Sequence, residues 1–351
     1  MRRQQSLLIM IEGALMDYNG LYFASRDKLC EDAYNLATEA NRAALLTTGN
    51  GYMGMCASLE GNKMPDMPLE LIFGNYVAWK YDEKTWIISF MDGTEFIYLL
   101  EGDRYALLTD TGYGVNDLRG FVEKLTDKEV LVINTHYHPD HSAGNGQWTS
   151  VMLSEGWKVD APSVELPGAG PYDLSAYPHP DYEKKIMHDG DTIDLGGRII
   201  KVLEALPAHC NSSLFLIDED HRILITGDEY ECSQTLMYDN SKNPDAPYNV
   251  EKRIDNLRAN AVRLKNLMGE DIRAWKLLPN HNGTPVSTEY LDEYIGLCDA
   301  IYAGTAVIED KLGHRFIEMD PVAPELCRVR YMHCSIFIKK AEVMKIYGTR
   351  A

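Results

Sequence analysis

Residues 135–141 read THYHPDH and place three histidines and one aspartate within six consecutive positions. They follow the apolar run EVLVI at 129–133, which is typical of a buried β-strand. A strand that ends here delivers imidazoles and a carboxylate to one sheet edge, and borderline metals such as zinc accept both. Because crowding such groups without a partner is costly, the stretch predicts a metal site. The candidate ligands are His136, His138, Asp140 and His141.

Three more candidate ligands stand where an apolar run stops. His209 comes after a run that ends at Leu203, Asp228 comes after ILITG at 223–227, and His281 comes after LLPN at 277–280. The glycine at 227 would let the backbone approach a neighbour closely. Each of these residues alone is better explained as an ordinary turn residue. Together with residues 135–141 they fit one site.

The rest of the sequence alternates short apolar runs with two long helical patterns. Their order predicts two sheets packed face to face and covered by helices. The predicted strands are 85–90, 95–100, 105–110, 130–134, 192–195, 198–203, 213–218, 222–226 and 274–278, and the predicted helices are 115–125, 250–268 and 287–303.

Residues 1–75 differ from the rest of the chain in their pattern of apolar and turn-forming residues. They contain one capped helical pattern and a Gly-rich turn, and no catalytic signature. We therefore expect two parts, an N-terminal accessory segment at 1–75 and a catalytic domain at 76–351. The accessory segment is expected to act as a lid or as an oligomer element, and a homodimer is one of the alternatives.

The composition restricts the classes of binding partner and the cellular location that we expect. The chain has 351 residues with 34 Lys and Arg against 53 Asp and Glu, a net charge of −19, so it repels polyanions. We expect a small-molecule substrate, no nucleic acid and no membrane partner. The seven cysteines are scattered without a CxxC motif, which is typical of reduced thiols. A cytoplasmic location is the expectation, because no run reaches the roughly 18 apolar residues of a membrane span.

Together these motifs resemble the metallo-β-lactamase-fold hydrolase superfamily. The resemblance covers the chain from about residue 71 to the C-terminus. It includes LLTDTGYG at 107–114, THYHPDH at 135–141, the His209 segment, TGD at 226–228 and NHNG at 280–283. The fold it implies is α+β, an αββα sandwich, here with the N-terminal accessory segment added, and with a two-metal cleft at one sheet edge.

The resemblance also implies the roles of the candidate ligands. One ion would be held by His136, His138 and His209, the second by Asp140, His141 and His281, and Asp228 would bridge them. Asp140 and Asp228 are the implied catalytic residues, with Asp140 orienting a metal-bound hydroxide. Histidines and carboxylates without a thiolate suit two Zn²⁺ per chain, with iron or manganese as alternatives.

The expected activity is zinc-dependent hydrolysis of an ester-like bond in a small molecule: a thioester, a lactone, or an amide including a β-lactam. A phosphodiesterase or nuclease on the same site is the alternative, and a non-catalytic metal-binding protein is the third. His138 disfavours the iron-based oxygen-reducing relatives, in which an acidic residue would stand there. Asp228 occupies a position that is Cys in some β-lactamases, and this favours the broader hydrolase group.

Two further expectations concern neighbours of the ligands. Cys210, next to His209, is expected to be a small buried residue. An aromatic stretch between the first two ligand segments would flank the cleft and contact substrate, or else form an ordinary packing loop. Its candidate substrate-binding residues are Tyr172, Tyr177, His179 and Tyr182.

Overall fold

The computed structural model describes residues 71–73, 76–90, 95–114, 117–160, 178–238, 249–313 and 322–348. The predicted accessory segment lies almost wholly outside these ranges, and so do Tyr172 and Tyr177. Its role and the boundary between residues 75 and 76 therefore stay predictions. Within the described ranges, the length and apolar character that a bilayer-crossing helix requires are not found together in any helix.

The first sheet has eight strands in sequence order, antiparallel from β1 to β5 and parallel from β5 to β8. Three short helices, α1 to α3, connect its later strands. The bounds are β1 Leu71–Phe73, β2 Tyr76–Asp82, β3 Thr85–Phe90, β4 Phe96–Glu101, β5 Tyr105–Thr109, α1 Leu118–Val122, β6 Glu129–Ile133, α2 Pro139–Ser142, β7 Ser150–Ser154, α3 Trp157–Asp160 and β8 Glu183–Met187.

The second sheet has six strands in the order β15-β14-β12-β11-β10-β9. Its strands are antiparallel except β12 and β14, which are parallel and are joined through the long helix α4. The bounds are β9 Thr192–Asp194, β10 Ile199–Glu204, β11 Leu214–Asp218, β12 Ile223–Gly227, α4 Val250–Met268, β14 Lys276–Pro279 and β15 Val286–Ser287.

A third sheet of four strands, in the order β13-β18-β17-β16, was not foreseen from the sequence. Its strands come from distant parts of the chain, since β13 precedes α4 and the other three come after helix α5. Residues of this sheet pack into the same core as α4 and α5. The bounds are β13 Thr235–Leu236, α5 Glu289–Ala303, β16 Val307–Glu309, β17 Leu326–Tyr331, β18 Cys334–Lys339 and α6 Lys340–Gly348.

Three apolar layers hold the fold together and confirm the predicted αββα sandwich. One layer lies between the first two sheets, where Tyr98 and Leu107 meet Leu216 and Ile225. A second packs α1 against the outer face of the first sheet. A third packs α4 and α5 against the outer face of the second sheet. Because both faces of each sheet are covered, the central strands are apolar at nearly every position, as in β4 and β12.

The two long helices were predicted closely from their end signals. Helix α4 spans Val250–Met268, as predicted, because the Asn249 side chain accepts a hydrogen bond from Lys252 N and Gly269 ends the helix. Helix α5 begins two residues later than predicted, at Glu289, and ends before Gly304, which is left-handed. The predicted helix at 115–125 is shorter, since α1 covers Leu118–Val122 and begins after the cap Asp117.

Candidate metal centre

The THYHPDH stretch forms the loop after β6 and the single turn of α2. His136 and His138 precede the helix, and Pro139 occupies its first turn, where a missing N–H is no loss. Asp140 and His141 then lie on the turn itself. The abrupt change from extended chain to helix brings four polar side chains of one short segment to the end of β6.

The remaining candidates come from three loops of the second sheet. His209 lies between β10 and β11, Asp228 directly follows β12, and His281 comes after β14. Gly227 has a φ of +56°, and a Cβ there would lie 3.1 Å from Thr135 Cβ and Oγ1. Only glycine therefore lets the end of β12 approach the loop that carries His136, and the predicted close approach is confirmed.

The structure brings all seven predicted side chains together in two groups. His136, His138 and His209 form the first group, and their facing nitrogens lie within 4.8 Å of one another. The same limit holds within the second group, which consists of Asp140, His141, Asp228 and His281. Either group could hold a metal ion, and the specific ligand roles stay predictions.

Asp228 lies between the two groups. Its Oδ2 is 3.7 Å from Nε2 of both His136 and His209 in the first group. In the second group the same oxygen is 3.4 Å from His141 Nε2 and 3.3 Å from His281 Nε2. One carboxylate oxygen thus faces four imidazoles, two from each group.

Two buried atoms of the cluster lack the hydrogen bonds that buried polar atoms normally make. His136 Nε2 and Asp228 Oδ1 are buried and have no hydrogen-bond partner within the described part of the chain. Such atoms are rare in folded proteins and costly to leave unsatisfied. A histidine nitrogen and a carboxylate oxygen at the meeting point of both groups have the donor chemistry of a divalent metal site, so the residues fit the implied ions.

The histidines of the two groups have pKa values shifted in opposite directions. Burial, reinforced by neighbouring imidazoles, lowers the pKa of His136 well below its usual value and that of His209 to about 4. Those rings are neutral at pH 7, which is the form that binds metal. In the second group burial acts against protonation, but Asp228 and the neighbouring carboxylates, Asp140 among them, together outweigh it and raise the pKa of His141 and His281 well above normal. A cation that enters the second group therefore takes the place of protons.

Asp110 connects the ligand loops, a role that was not predicted from the sequence. It is fully buried, and its Oδ1 accepts from Thr135 N while its Oδ2 accepts from Thr135 Oγ1, each at 2.7 Å. Oδ2 also accepts from Asn280 Nδ2 at 2.7 Å and lies 3.2 Å from His141 Nδ1. A carboxylate on one ring nitrogen of a ligand histidine leaves the other nitrogen for the metal. The signals in the sequence were its place directly after β5 and inside the LLTDTGYG stretch at 107–114.

Most of the segments that build this centre match a known family of proteins. Residues 91–259 match the family model described as the metallo-beta-lactamase superfamily. The predicted resemblance to the metallo-beta-lactamase superfamily is confirmed over these residues. The acyl-coenzyme A thioesterase MBLAC2 of Homo sapiens is 29% identical over 215 residues, which cover 54% of this chain and 73% of that protein. The coenzyme F420H(2) oxidase of Methanocaldococcus jannaschii is 25% identical over 159 residues, 40% of this chain and 35% of that one.

Among solved structures, a metallo-beta-lactamase from Pontibacter korlensis is similar to this chain with a TM-score of 0.45 and 19% identity. The similarity covers 63% of this chain and 98% of that one. The family-model match and the named relatives confirm the predicted enzyme class, a metal-dependent hydrolase. The side-chain groups support metal binding.

Cys210 and Tyr182 lie near the candidate metal centre and belong to neither group of candidate ligands. Cys210 is buried, as predicted, with its Sγ 3.0 Å from Ser213 Oγ. Burial raises the pKa of its thiol well above normal, so it remains protonated. Tyr182 belongs to the core outside the first sheet, and its OH contacts Tyr137 OH and Asn145 Nδ2, each at 3.1 Å.

His179 is half-buried, and its backbone N–H donates to Gly146 O at 2.9 Å. The bond ties the chain ahead of β8 to the 3₁₀ turn that comes after α2. Contact of His179 and Tyr182 with a substrate stays a prediction.

Proposed function

We propose that this chain is a dinuclear zinc hydrolase that cleaves thioesters of the acyl-coenzyme A type. The observation that carries the proposal is the position of Asp228, whose Oδ2 lies within 3.7 Å of Nε2 of four histidines from two groups. A single carboxylate between two imidazole groups suits a bridge between two ions. The buried Asp228 Oδ1 and His136 Nε2, which lack partners among the described residues, support that role.

We assign His136, His138 and His209 to one ion, Asp140, His141 and His281 to the other, and Asp228 to both. Two divalent ions supply Lewis acidity toward the oxygen of the attacked carbonyl and lower the pKa of a nearby water. Zinc suits a set of imidazoles and carboxylates best, with iron or manganese as alternatives.

The protein's own groups then orient the reactants. The Asp140 side chain is 24% exposed and that of His281 is 14%, whereas His136, His141 and Asp228 are closed to solvent. Asp140 and His281, with the half-buried His138, form the accessible side of the site, and the substrate approaches from there. A carboxylate there can accept a hydrogen bond from the attacking water and hold its proton. Asp110 orients His141 through its contact with Nδ1 of that ring.

Two arguments favour a thioester among the ester-like bonds. The human relative is named as an acyl-coenzyme A thioesterase, and its similarity covers 73% of its length. The second argument is chemical. Hydrolysis adds water to the acyl carbon and breaks the carbon–sulfur bond, and a thiol with a pKa of about 8.5 leaves readily as thiolate. An amine must be protonated as it leaves, so an amide or β-lactam demands more of the site.

A substrate panel tests the proposal. Zinc-loaded protein is incubated with acyl-coenzyme A thioesters of several chain lengths, a homoserine lactone, a cephalosporin and bis(p-nitrophenyl) phosphate. We expect thiol release from the thioesters to be the fastest reaction. The control is His136→Ala, which should lose metal and activity together because the ligand and the chemistry are coupled.

Two results would overturn the proposal. Cleavage of the phosphodiester alone would assign the site to a phosphodiesterase. Equal thioester cleavage by the wild type and His136→Ala would show that the histidine groups are not the reactive site.

A further inference from the structure

Helix α4 carries a row of polar side chains on its inner face. Arg253, Asn256, Asn260 and Arg263 succeed one another at spacings of three, four and three residues, so they lie on one side of the helix. None of them belongs to either ligand group. All four donate to the main chain of residues 204–209, the segment that leaves β10 and ends at His209.

Asn260 makes the two main-chain hydrogen bonds to Leu206 that a neighbouring β-strand would make. Its Oδ1 accepts from Leu206 N at 2.9 Å, and its Nδ2 donates to Leu206 O at 2.8 Å. Asn256 Nδ2 donates to Pro207 O at 2.7 Å. Arg263 Nη1 donates to Glu204 O at 3.0 Å. The main-chain groups of the loop, which has left its sheet, are thus satisfied by side chains of one helix.

Arg253 reaches the ligand residue itself. Its Nη1 donates to Ala208 O at 2.8 Å and to His209 O at 3.0 Å. From the other side, Glu229 accepts from His209 N, with both carboxylate oxygens at 3.2 Å. The backbone of His209 is therefore fixed through both its carbonyl and its N–H.

The ring of His209 is fixed as well. Its Nδ1 lies 2.7 Å from Leu236 O, and because a carbonyl can only accept, Nδ1 carries the proton. Nε2 is left with its lone pair and faces His138 Nδ1 at 2.9 Å. The direction of that lone pair depends on where the backbone of His209 stands, to which Arg253 is bonded directly and Asn260 is linked through Leu206.

The burial of Arg253 and Asn260 indicates that their hydrogen bonds to the loop are required by the fold. Asn260 is fully buried and Arg253 is 6% exposed. Buried polar side chains are costly unless their hydrogen bonds are made. Apolar residues at these positions would leave the loop carbonyls unpaired.

We infer that Arg253 and Asn260 are positioning residues that set the Nε2 direction of His209 and thereby the metal affinity of the first group. The inference rests on the metal-binding part of the proposed function. It assigns to α4, which carries none of the seven ligands, control over one of the two ions.

Matched pairs of variants on the same helix test this. Arg253→Lys keeps the charge but shortens the reach to two carbonyls, and Asn260→Asp keeps the acceptor but removes the donor to Leu206 O. The controls are Arg258→Lys and Asn266→Asp on the outer side of α4, where Arg258 forms an exposed ion pair with Asp299 and Asn266 is exposed. Each protein is titrated with Zn²⁺ against a competing chelator, with histidine ring signals followed by NMR and the melting temperature measured without metal.

We expect one zinc equivalent, the one that shifts the His138 and His209 ring signals, to bind about 10–100-fold more weakly in Arg253→Lys and Asn260→Asp. The other equivalent should bind as in the wild type, and both controls should keep the wild-type affinities and metal-free melting temperature. Wild-type binding of both ions by these two variants would overturn the inference and leave the proposed function standing. Equal weakening of both ions with a large drop in melting temperature would indicate general structural support and would also overturn it. A wild type that binds no zinc would instead remove the metal-binding proposal itself.

Discussion

Asp110 Oδ2 lies 3.2 Å from Nδ1 of His141, and this contact joins the end of β5 to the helical turn that carries two candidate ligands. The same oxygen accepts from Asn280, the residue before His281. Asp110 has a φ of +65°, which Asp and Asn adopt more readily than other non-glycine residues. One carboxylate in an unusual backbone conformation thus orders both halves of the second group.

Replacing Asp110 with Asn should weaken the second group specifically. Asn tolerates the backbone conformation, but its amide N–H would face the donors Thr135 and Asn280. We expect about 10–100-fold weaker binding of one zinc ion and a loss of about 1–3 kcal/mol in the free energy of unfolding. Zinc titration and urea unfolding measure the two effects. Asp103→Asn, at an exposed ion pair with Lys84, is the control and should change neither.

Replacing Asp228 with Ala should abolish turnover while the fold remains largely intact. The change removes the oxygen that faces imidazoles of both groups, so the second ion should be lost and the first bound more weakly. Circular dichroism, metal content by mass spectrometry and thioester turnover test this together. Asp220→Ala, at an exposed site eight residues earlier, should behave as wild type. Full activity in Asp228→Ala would contradict the bridging role.

Replacing Gly227 with Ala should cost more than a positive φ alone explains. An L-residue in the left-handed region costs roughly 1–2 kcal/mol, and Gly304→Ala, with a φ of +70° and nothing within 4 Å, measures that cost by itself. Gly227→Ala adds a Cβ 3.1 Å from Thr135 and must push the His136 loop away. We expect a larger loss of stability and weaker zinc binding than in Gly304→Ala. Equal effects in the two variants would rule out a tight approach at 227.

Removing metal should lower the melting temperature reversibly. A ligand that binds only the folded chain stabilises it by about 2.7 kcal/mol at 100 times its dissociation constant. Chelated protein should therefore melt earlier, and added zinc should restore the wild-type melting temperature. In His136→Ala the gain on adding zinc should be smaller. A melting temperature that zinc leaves unchanged in the wild type would argue against a site built into the fold.

The candidate ligands were visible in the sequence because each one comes within a few residues of the end of an apolar run. His209, Asp228 and His281 stand at strand ends, and the requirement for Gly227 could be argued from its place before Asp228. The ends of α4 could also be predicted from local signals, since Asn249 and Gly269 flank the apolar pattern.

The features that sequence patterns did not reveal depend on partners far along the chain. Asp110 meets His141 across 31 residues, and Arg253 meets Ala208 across 45. Such contacts result from how strands and helices pack, which no local pattern encodes. The third sheet was missed for the same reason, since Thr235 of β13 pairs with Ile336 of β18. In sequence, the polar face of α4 resembles a solvent-exposed helix face. In the structure it is covered by residues 204–209.

The reaction proposed for this cleft requires two ions that act together on a thioester. The most direct measurement loads metal-free protein with zinc in steps and records bound ions per chain beside thioester turnover at each step. We predict that two ions bind per chain and that turnover rises to its full value only as the second ion binds. Full turnover in metal-free protein, or two bound ions without any thioester cleavage, would contradict this reaction.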